Sequence, residues 1–301
     1  EAQAMVPKRP SARTLREWGT AYAFLFPNII GLFVFVFMPI VYALYVSLYD
    51  WNALSPKVFV GLDNYKDLLG DKGWWRSVGK TITFSVIYVP LLFVSSLLSA
   101  VLIHALRGRV SGLARTMFLM PFAITSVNSA IIAMYLLDPR RGLINWILGG
   151  FGVPSQDFLG STSQAMFCVV VVLLWINVGY NMIIFLSAIK EIPKDYYEAA
   201  HMDGAKRGQT FFRITFPLIK ETNTFILIVT TIGSFQVFDQ IMVMTKGGPA
   251  GATEVSVLYI FKHAFELLNM GYSSAMAFVL FLIIFVLSLF QLKLFSRDEE
   301  R

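Results

Sequence analysis

One cysteine in 301 residues, three histidines and a charged fraction of only 15% leave this chain poor in the groups from which most chemistry is built. Cys168 lies inside an apolar run and has no partner for an internal disulfide, so neither a redox pair nor a thiolate metal site is expected. His104, His201 and His263 fall in separate segments without metal-ligand spacing, which leaves no metal site to predict. A phosphate-cradling loop needs a glycine, four residues, then Gly-Lys-Ser/Thr; the nearest approach, Gly79-Lys80-Thr81, has Trp74 where the first glycine belongs. Nucleophile elbows and Ser/His/Asp sets of plausible spacing are also missing. The chain is therefore not expected to be an enzyme.

Hydrocarbon is what the sequence has in abundance. Hydrophobic residues make up 56% of it and mean hydropathy is +0.64, too apolar to be covered by the surface of a soluble domain. Six apolar runs approach the roughly 20 residues that a helix needs to cross a bilayer: about 21–48, 81–106, 117–137, 164–189, 224–245 and 272–295. The first contains Pro27 and Pro39 and is expected to kink or to begin along the surface. It is too long, and lacks the small-residue cleavage site, for a removable signal peptide. An all-α membrane protein of six transmembrane helices follows.

Positive charge orients it. With the amino terminus inside, sixteen of the twenty-five Lys and Arg fall on cytoplasmic pieces, and the remaining nine are spread over longer outer connections. Both termini are expected in the cytoplasm, with 1–20 an amino-terminal segment, 21–295 the membrane domain and 296–301 a tail. The net charge of +6 serves topology and contact with anionic membrane lipid; no basic patch lies outside the membrane-flanking loops, so no nucleic-acid partner is predicted.

The most distinctive segment is the polar loop of about 190–221. Ile192-Pro193 ends the fourth run, and the fixed φ of proline suits the opening of a short helix to about Asp203. Gly204 then supplies a left-handed turn. On the resulting surface helix Ala199 and Ala200 lack bulk and would admit a partner closely, Tyr196, Met202 and Ala205 offer apolar contact, and Glu198, Lys206 and Arg207 carry charge.

The cluster Glu198-Ala199-Ala200-His201-Met202-Asp203-Gly204, followed by Ile214 and Pro217, resembles the loop of binding-protein-dependent ABC importer permeases, with Phe216 where leucine is usual. Phe59 through Tyr65, in a stretch that continues as an amphipathic piece to Trp74-Trp75, resembles the segment after the first helix of sugar permeases in this superfamily, and Thr245 to Pro249 resembles their T-x-G-G-P turn. The tryptophans by themselves read as anchors of an interfacial helix. The resemblance implies a type I importer permease fold. It also implies that Glu198, Ala199, Ala200, Asp203 and Gly204 belong to a coupling helix docking on a separate ATPase. The partners it implies are a second, homologous permease subunit, a dimer of ATP-binding subunits that hold ATP and Mg, and an extracytoplasmic solute-binding protein. The setting is a bacterial or archaeal cytoplasmic membrane.

Polar side chains within apolar helices are costly and should face protein or a water-filled path. They are Thr125, Ser126 and Asn128 in the third run, Asn177, Tyr180 and Asn181 on one face of the fourth, and Thr230, Ser234, Gln236 and Asp239 in the fifth. Each could equally make an interhelical hydrogen bond. By resemblance to the maltose-permease branch, the substrate-binding positions are Phe122, Ser126, Asn177, Tyr180, Ser234 and Val237. Phe122 lacks a tyrosine hydroxyl found in that branch, Asn177 replaces a glycine and Val237 an amide, which argues against maltose and leaves another sugar or a glycerol-phosphate-like solute. Asp239 reads as structural or gating. The alternative is half of an ion-coupled secondary transporter, which should carry carboxylates in broken helices; only Asp239 qualifies, and the docking loop would be unexplained.

Overall fold

The computed structural model describes residues 12–106 and 108–296. The stretch through residue 11, Arg107 and the tail from residue 297, with the terminal segments and charges assigned there, lie outside the described residues. The first span runs as α1 (Ala12–Leu32), a π turn (Phe33–Phe37) and α2 (Met38–Val46). Pro27 sits inside α1 without ending it, and the wide turn lies just before Pro39, whose missing N–H cannot close an ordinary α-helical bond to the turn behind it. A two-stranded antiparallel hairpin, β1 (Tyr49–Asp50) with β2 (Val58–Phe59), then leads to α3 (Asp63–Gly70).

The second span, α4 (Lys72–Ala105), begins nine residues before the apolar run does. Asp71 caps it, accepting from the Gly73 and Trp74 amides, so the polar first turns with Lys72, Arg76 and Lys80 remain helical. Trp74 is fully buried beside Tyr259 rather than anchored at an interface; Trp75 alone keeps the exposure expected of an anchor.

The third span is broken, not straight. It comprises α5 (Gly108–Leu119), a 3-10 turn (Met120–Ala123) and α6 (Ser126–Leu136), with 99° between the two halves. Pro121 removes a donor at the break, and Thr125 is extended. After α7 (Leu143–Gly150) comes α8 (Ala165–Glu191), the most buried span. The polar loop after α8 holds α9 (Lys194–Met202), α10 (Arg207–Thr210), a π turn (Phe211–Thr215) and α11 (Phe216–Leu218). The fifth span consists of α12 (Lys220–Phe235) and α13 (Asp239–Met244), interrupted at Gln236–Phe238. Finally α14 (Ser256–Phe261) continues in a π turn, and α15 (Met270–Ser296) forms the sixth span.

α4 and α8 form the centre. Their Phe84, Leu92, Val169, Val170 and Leu173 pack with Ile241 of α13, and nearer the loop Leu97, Ile103, Met182, Phe185 and Ile189 pack with Ile226 of α12. Buried hydroxyls tie the helices: Thr81 Oγ1 lies 2.9 Å from Ser256 Oγ, and Ser234 Oγ lies 2.8 Å from Ser85 Oγ. The first span stands apart. Only 6% of its most apolar window is buried within this chain, against 50% for α8, so its surface is left for lipid or another subunit.

Candidate functional site

Two regions carry the sequence-derived site residues. The first is a cavity of about 350 Å3 between α4, α8 and the break in the fifth span. Five of the six proposed substrate positions line it: Phe122, Asn177, Tyr180, Ser234 and Val237. Ser126 does not; it opens α6 on the other side of the helix break. Thr230, Gln236 and Asp239 line the cavity as well, while Thr125 and Asn128 stay outside it.

The break in the third span builds one wall. A Cβ on Gly179 would stand 1.8 Å from the Phe118 carbonyl oxygen, so only glycine in α8 lets the broken chain approach this closely. That approach lays the Phe122 ring on Tyr180, with centroids 4.7 Å apart and 14° between planes. Phe122 is 44% exposed and Tyr180 45%, so the stacked pair offers aromatic surface rather than core packing. Asn177 turns its amide nitrogen onto the Leu173 carbonyl (2.9 Å), and its side chain lies beside the Tyr88 hydroxyl. Ser234 is engaged already, its hydroxyl between Ser85 Oγ and the Thr231 carbonyl (2.7 Å), and serves helix packing at the cavity edge.

Phe84 and Tyr88, stacked at 5.2 Å, also face the cavity, and so does Gln240. Their spacing of four residues on α4 was the available signal. A larger groove of about 1130 Å3, between α4, α12 and α15, is walled mostly by apolar side chains such as Phe93, Phe225, Leu292 and Phe295. Its polar lining, Lys220, Glu221, Asn223 and Thr224, lies in one stretch at the start of α12 rather than converging from several helices on a hydrophilic solute. Among the described residues no group of three or more His, Cys, Asp or Glu could hold a metal ion.

The second region is the helix α9 of the polar loop after α8. Gly204 has φ of +74°, its N–H reaches the His201 carbonyl (3.1 Å), and the Ala205 N–H reaches the Ala200 carbonyl (2.9 Å), the paired bonds of a Schellman end. Nothing crowds a Cβ at Gly204, so backbone sign alone requires glycine there. The alanine pair divides: Ala200 is buried against the bundle, and only Ala199 faces outward with Tyr196, Glu198 and Asp203. This corrects the expectation that both alanines admit a partner. Helix period places residues one apart about 100° apart on the surface, so the inner member instead seats α9. Met202, 86% exposed, offers the largest apolar contact of that outer face. Tyr197, Phe211 and the Tyr197–Thr215 hydroxyl pair (3.2 Å) fasten the loop to the ends of α4 and α8.

At the other end of the bundle Asp71 joins three elements. Its Oδ2 accepts from Tyr259 (3.0 Å) and Tyr272 (2.8 Å) while Oδ1 caps α4. Burial would raise the carboxyl, but these hydrogen bonds outweigh it and hold its pKa below the ordinary value. Tyr259 is pushed up to about 12 by burial and by its bond to Asp71. The T-x-G-G-P turn is fixed by Thr245 Oγ1 against Thr253 Oγ1 (2.7 Å), with Gly247 at φ +86°.

Residues 68–297 match the family described as "Binding-protein-dependent transport system inner membrane component". The chain is 36% identical over 283 residues to the probable ABC transporter permease protein YurN of Bacillus subtilis, covering 93% of this chain and 97% of that one. It is 33% identical to the trehalose/maltose transport system permease protein MalF of Thermococcus litoralis (94% and 96% covered) and 34% identical to the sn-glycerol-3-phosphate transport system permease protein UgpA of Agrobacterium fabrum (90% and 93%). In fold it is similar to a chain of a bacterial ABC transporter involved in the import of the acidic polysaccharide alginate, at TM-score 0.83, 24% identity, and 94% and 96% coverage. That transporter has also been solved in complex with an alginate pentasaccharide-bound periplasmic protein. A broken helix beside Asp239 would by itself suit an ion-coupled carrier, but the family decides between the two readings. The chain belongs to the inner membrane components of binding-protein-dependent transport systems, and it is an ABC transporter permease.

Proposed function

We propose that this permease takes up a sugar or sugar-like solute delivered by an extracytoplasmic binding protein, with ATP and Mg held and hydrolysed by a separate pair of ATPase subunits. The chain forms one half of the path. Its cavity is open at one side, and the half-exposed Phe122–Tyr180 pair with Asn177 and Gln236 suits the apolar faces and hydroxyls of a sugar ring. A second, related permease supplies the facing wall. Both termini and the 190–221 loop lie in the cytoplasm, and the outer face of α9, with Glu198, Ala199 and Asp203, docks on the ATPase. ATP closure of that pair moves α9 and switches the cavity from inward- to outward-facing; the delivered solute enters as the binding protein opens.

The observation that carries the solute reading is that five positions chosen on the sequence meet in one polar, aromatic cavity. Relatives named for trehalose/maltose and sn-glycerol-3-phosphate transport support the same solute range. The test is to copurify the tagged chain with the products of neighbouring transporter genes, add the binding protein, and screen sugars, polyol phosphates and amino acids for stimulated ATP hydrolysis. Stimulation confined to a sugar-like solute is expected. Uptake driven by an ion gradient without ATP, or stimulation by amino acids alone, would overturn the proposal.

A further inference from the structure

Behind α9, on the side turned toward the bundle, lies a cleft of about 280 Å3. It joins the end of α4 to the loop, and its polar wall consists of His104, Tyr197, His201, Arg207, Thr210 and Thr215. Among the described residues no carboxylate lines it. Lys190 and Arg115 add positive potential at His104. The ion pairs among the described residues, Lys66–Asp63 and Lys262–Glu254, lie elsewhere, so Arg207 at the cleft, and Lys190 and Arg115 near His104, have no carboxylate within ion-pair distance among the described residues. Arg115 gives one N–H to Ser111 Oγ (2.9 Å), and its Nε is buried without a partner.

Placing positive residues inside explains their presence in the loops, not their convergence with three hydroxyls on one cleft. An unpaired guanidinium beside two imidazoles and three hydroxyls, with two further cations near His104, favours an anion. We propose that the cleft binds a phosphate group, carried either by a lipid headgroup or by a soluble phosphate, and that occupancy fixes α9 against the end of α4. A phosphate presents several acceptor oxygens to the Arg207 fork, the histidine N–H groups and the hydroxyls. The hydroxyls are adaptable: Thr210 makes a 3.2 Å bond to the Lys206 carbonyl, and Tyr197 and Thr215 share one of the same length. The cleft also sits where a span ends, within reach of both sources.

The test uses the full chain copurified with its partner subunits. In one arm the detergent-solubilised complex, without nucleotide, is titrated with inorganic phosphate against chloride at matched ionic strength, and the thermal midpoint is read. In the other, nanodiscs of phosphatidylglycerol or phosphatidylcholine are compared and retained lipid is identified by native mass spectrometry. A response in the first arm assigns a soluble phosphate; retained phosphatidylglycerol in the second assigns a headgroup. In either case Arg207→Gln should weaken binding about tenfold, the loss of one charged hydrogen bond, and His104→Gln should weaken it by less, the loss of one neutral donor. Arg207→Lys should keep most of it, which separates lost charge from a defect in assembly. No response in either arm, or a response that both glutamine variants leave unchanged, overturns the proposal.

Discussion

Substituting Gly179 by alanine should loosen the solute cavity without touching its lining. The added Cβ would meet the Phe118 carbonyl oxygen at 1.8 Å and Leu119 Cα at 2.9 Å, where ordinary contact begins at 3.4 Å. Backbone is on both sides, so no side chain can turn away and the helices must part by about 1.5 Å. Overpacking of this kind costs about 1–3 kcal/mol, which should appear as a lower thermal midpoint of the purified complex. The parting also removes the Phe122–Tyr180 stack, worth about 0.5–1.5 kcal/mol, so apparent solute affinity should fall by about two- to tenfold. Docking of the ATPase should persist, because α9 is fastened through Tyr197 and Phe211 at the other end of α8. The assay is uptake by proteoliposomes over a range of solute and binding-protein concentrations, with ATP turnover measured in parallel. Wild-type uptake and an unchanged midpoint would refute the claim that Gly179 sets the position of the helix break.

Tyr180→Ala should lower solute uptake, at a cost of about 1–3 kcal/mol if a buried solute hydroxyl loses its partner, while leaving assembly intact; uptake equal to wild type would make Tyr180 a packing residue. Asp71 has a depressed pKa, so its ion contributes stability above the ordinary carboxyl value of 3.8 and loses that contribution as pH falls through the lower folded value. Melting curves should therefore show wild type more stable than Asp71→Asn at neutral pH and the gap closing in strong acid; a pH-independent gap would contradict this. In a background where buried Cys168 is replaced by alanine, Ser155→Cys should react with an impermeant maleimide in intact cells and Gln209→Cys only after permeabilisation; external labelling at 209 would invert the topology.

Composition and spacing made the spans and the loop legible, because run length and the Gly204 turn are local properties. Direction was not local. The run 117–137 is apolar on average, so its hydropathy conceals the bend at Pro121, which needs Gly179 of another helix to accept it. The start of α4 was hidden by Lys72, Arg76 and Lys80, whose charge interrupts an apolar run but not a helix capped by Asp71. Ala199 and Ala200 look alike in sequence, and only the position of the bundle tells which faces in. Phe84 and Tyr88 are buried core aromatics that also border the cavity, and the sequence does not mark them because much of the cavity is formed by residues some ninety to one hundred and fifty positions later.

The central claim is that one chain carries a solute cavity and a separate coupling loop. It is tested most directly by measuring uptake and solute-stimulated ATP hydrolysis in the same proteoliposomes for wild type, Tyr180→Ala and Gly204→Val. Valine cannot easily hold the positive φ at position 204, a strain of at least about 1–2 kcal/mol at the Schellman end. The account predicts that Tyr180→Ala assembles and keeps basal ATP hydrolysis while losing uptake, and that Gly204→Val stays inserted but uncouples, with no uptake and no stimulation by loaded binding protein. Normal transport by Gly204→Val, or identical defects in both variants, would contradict it.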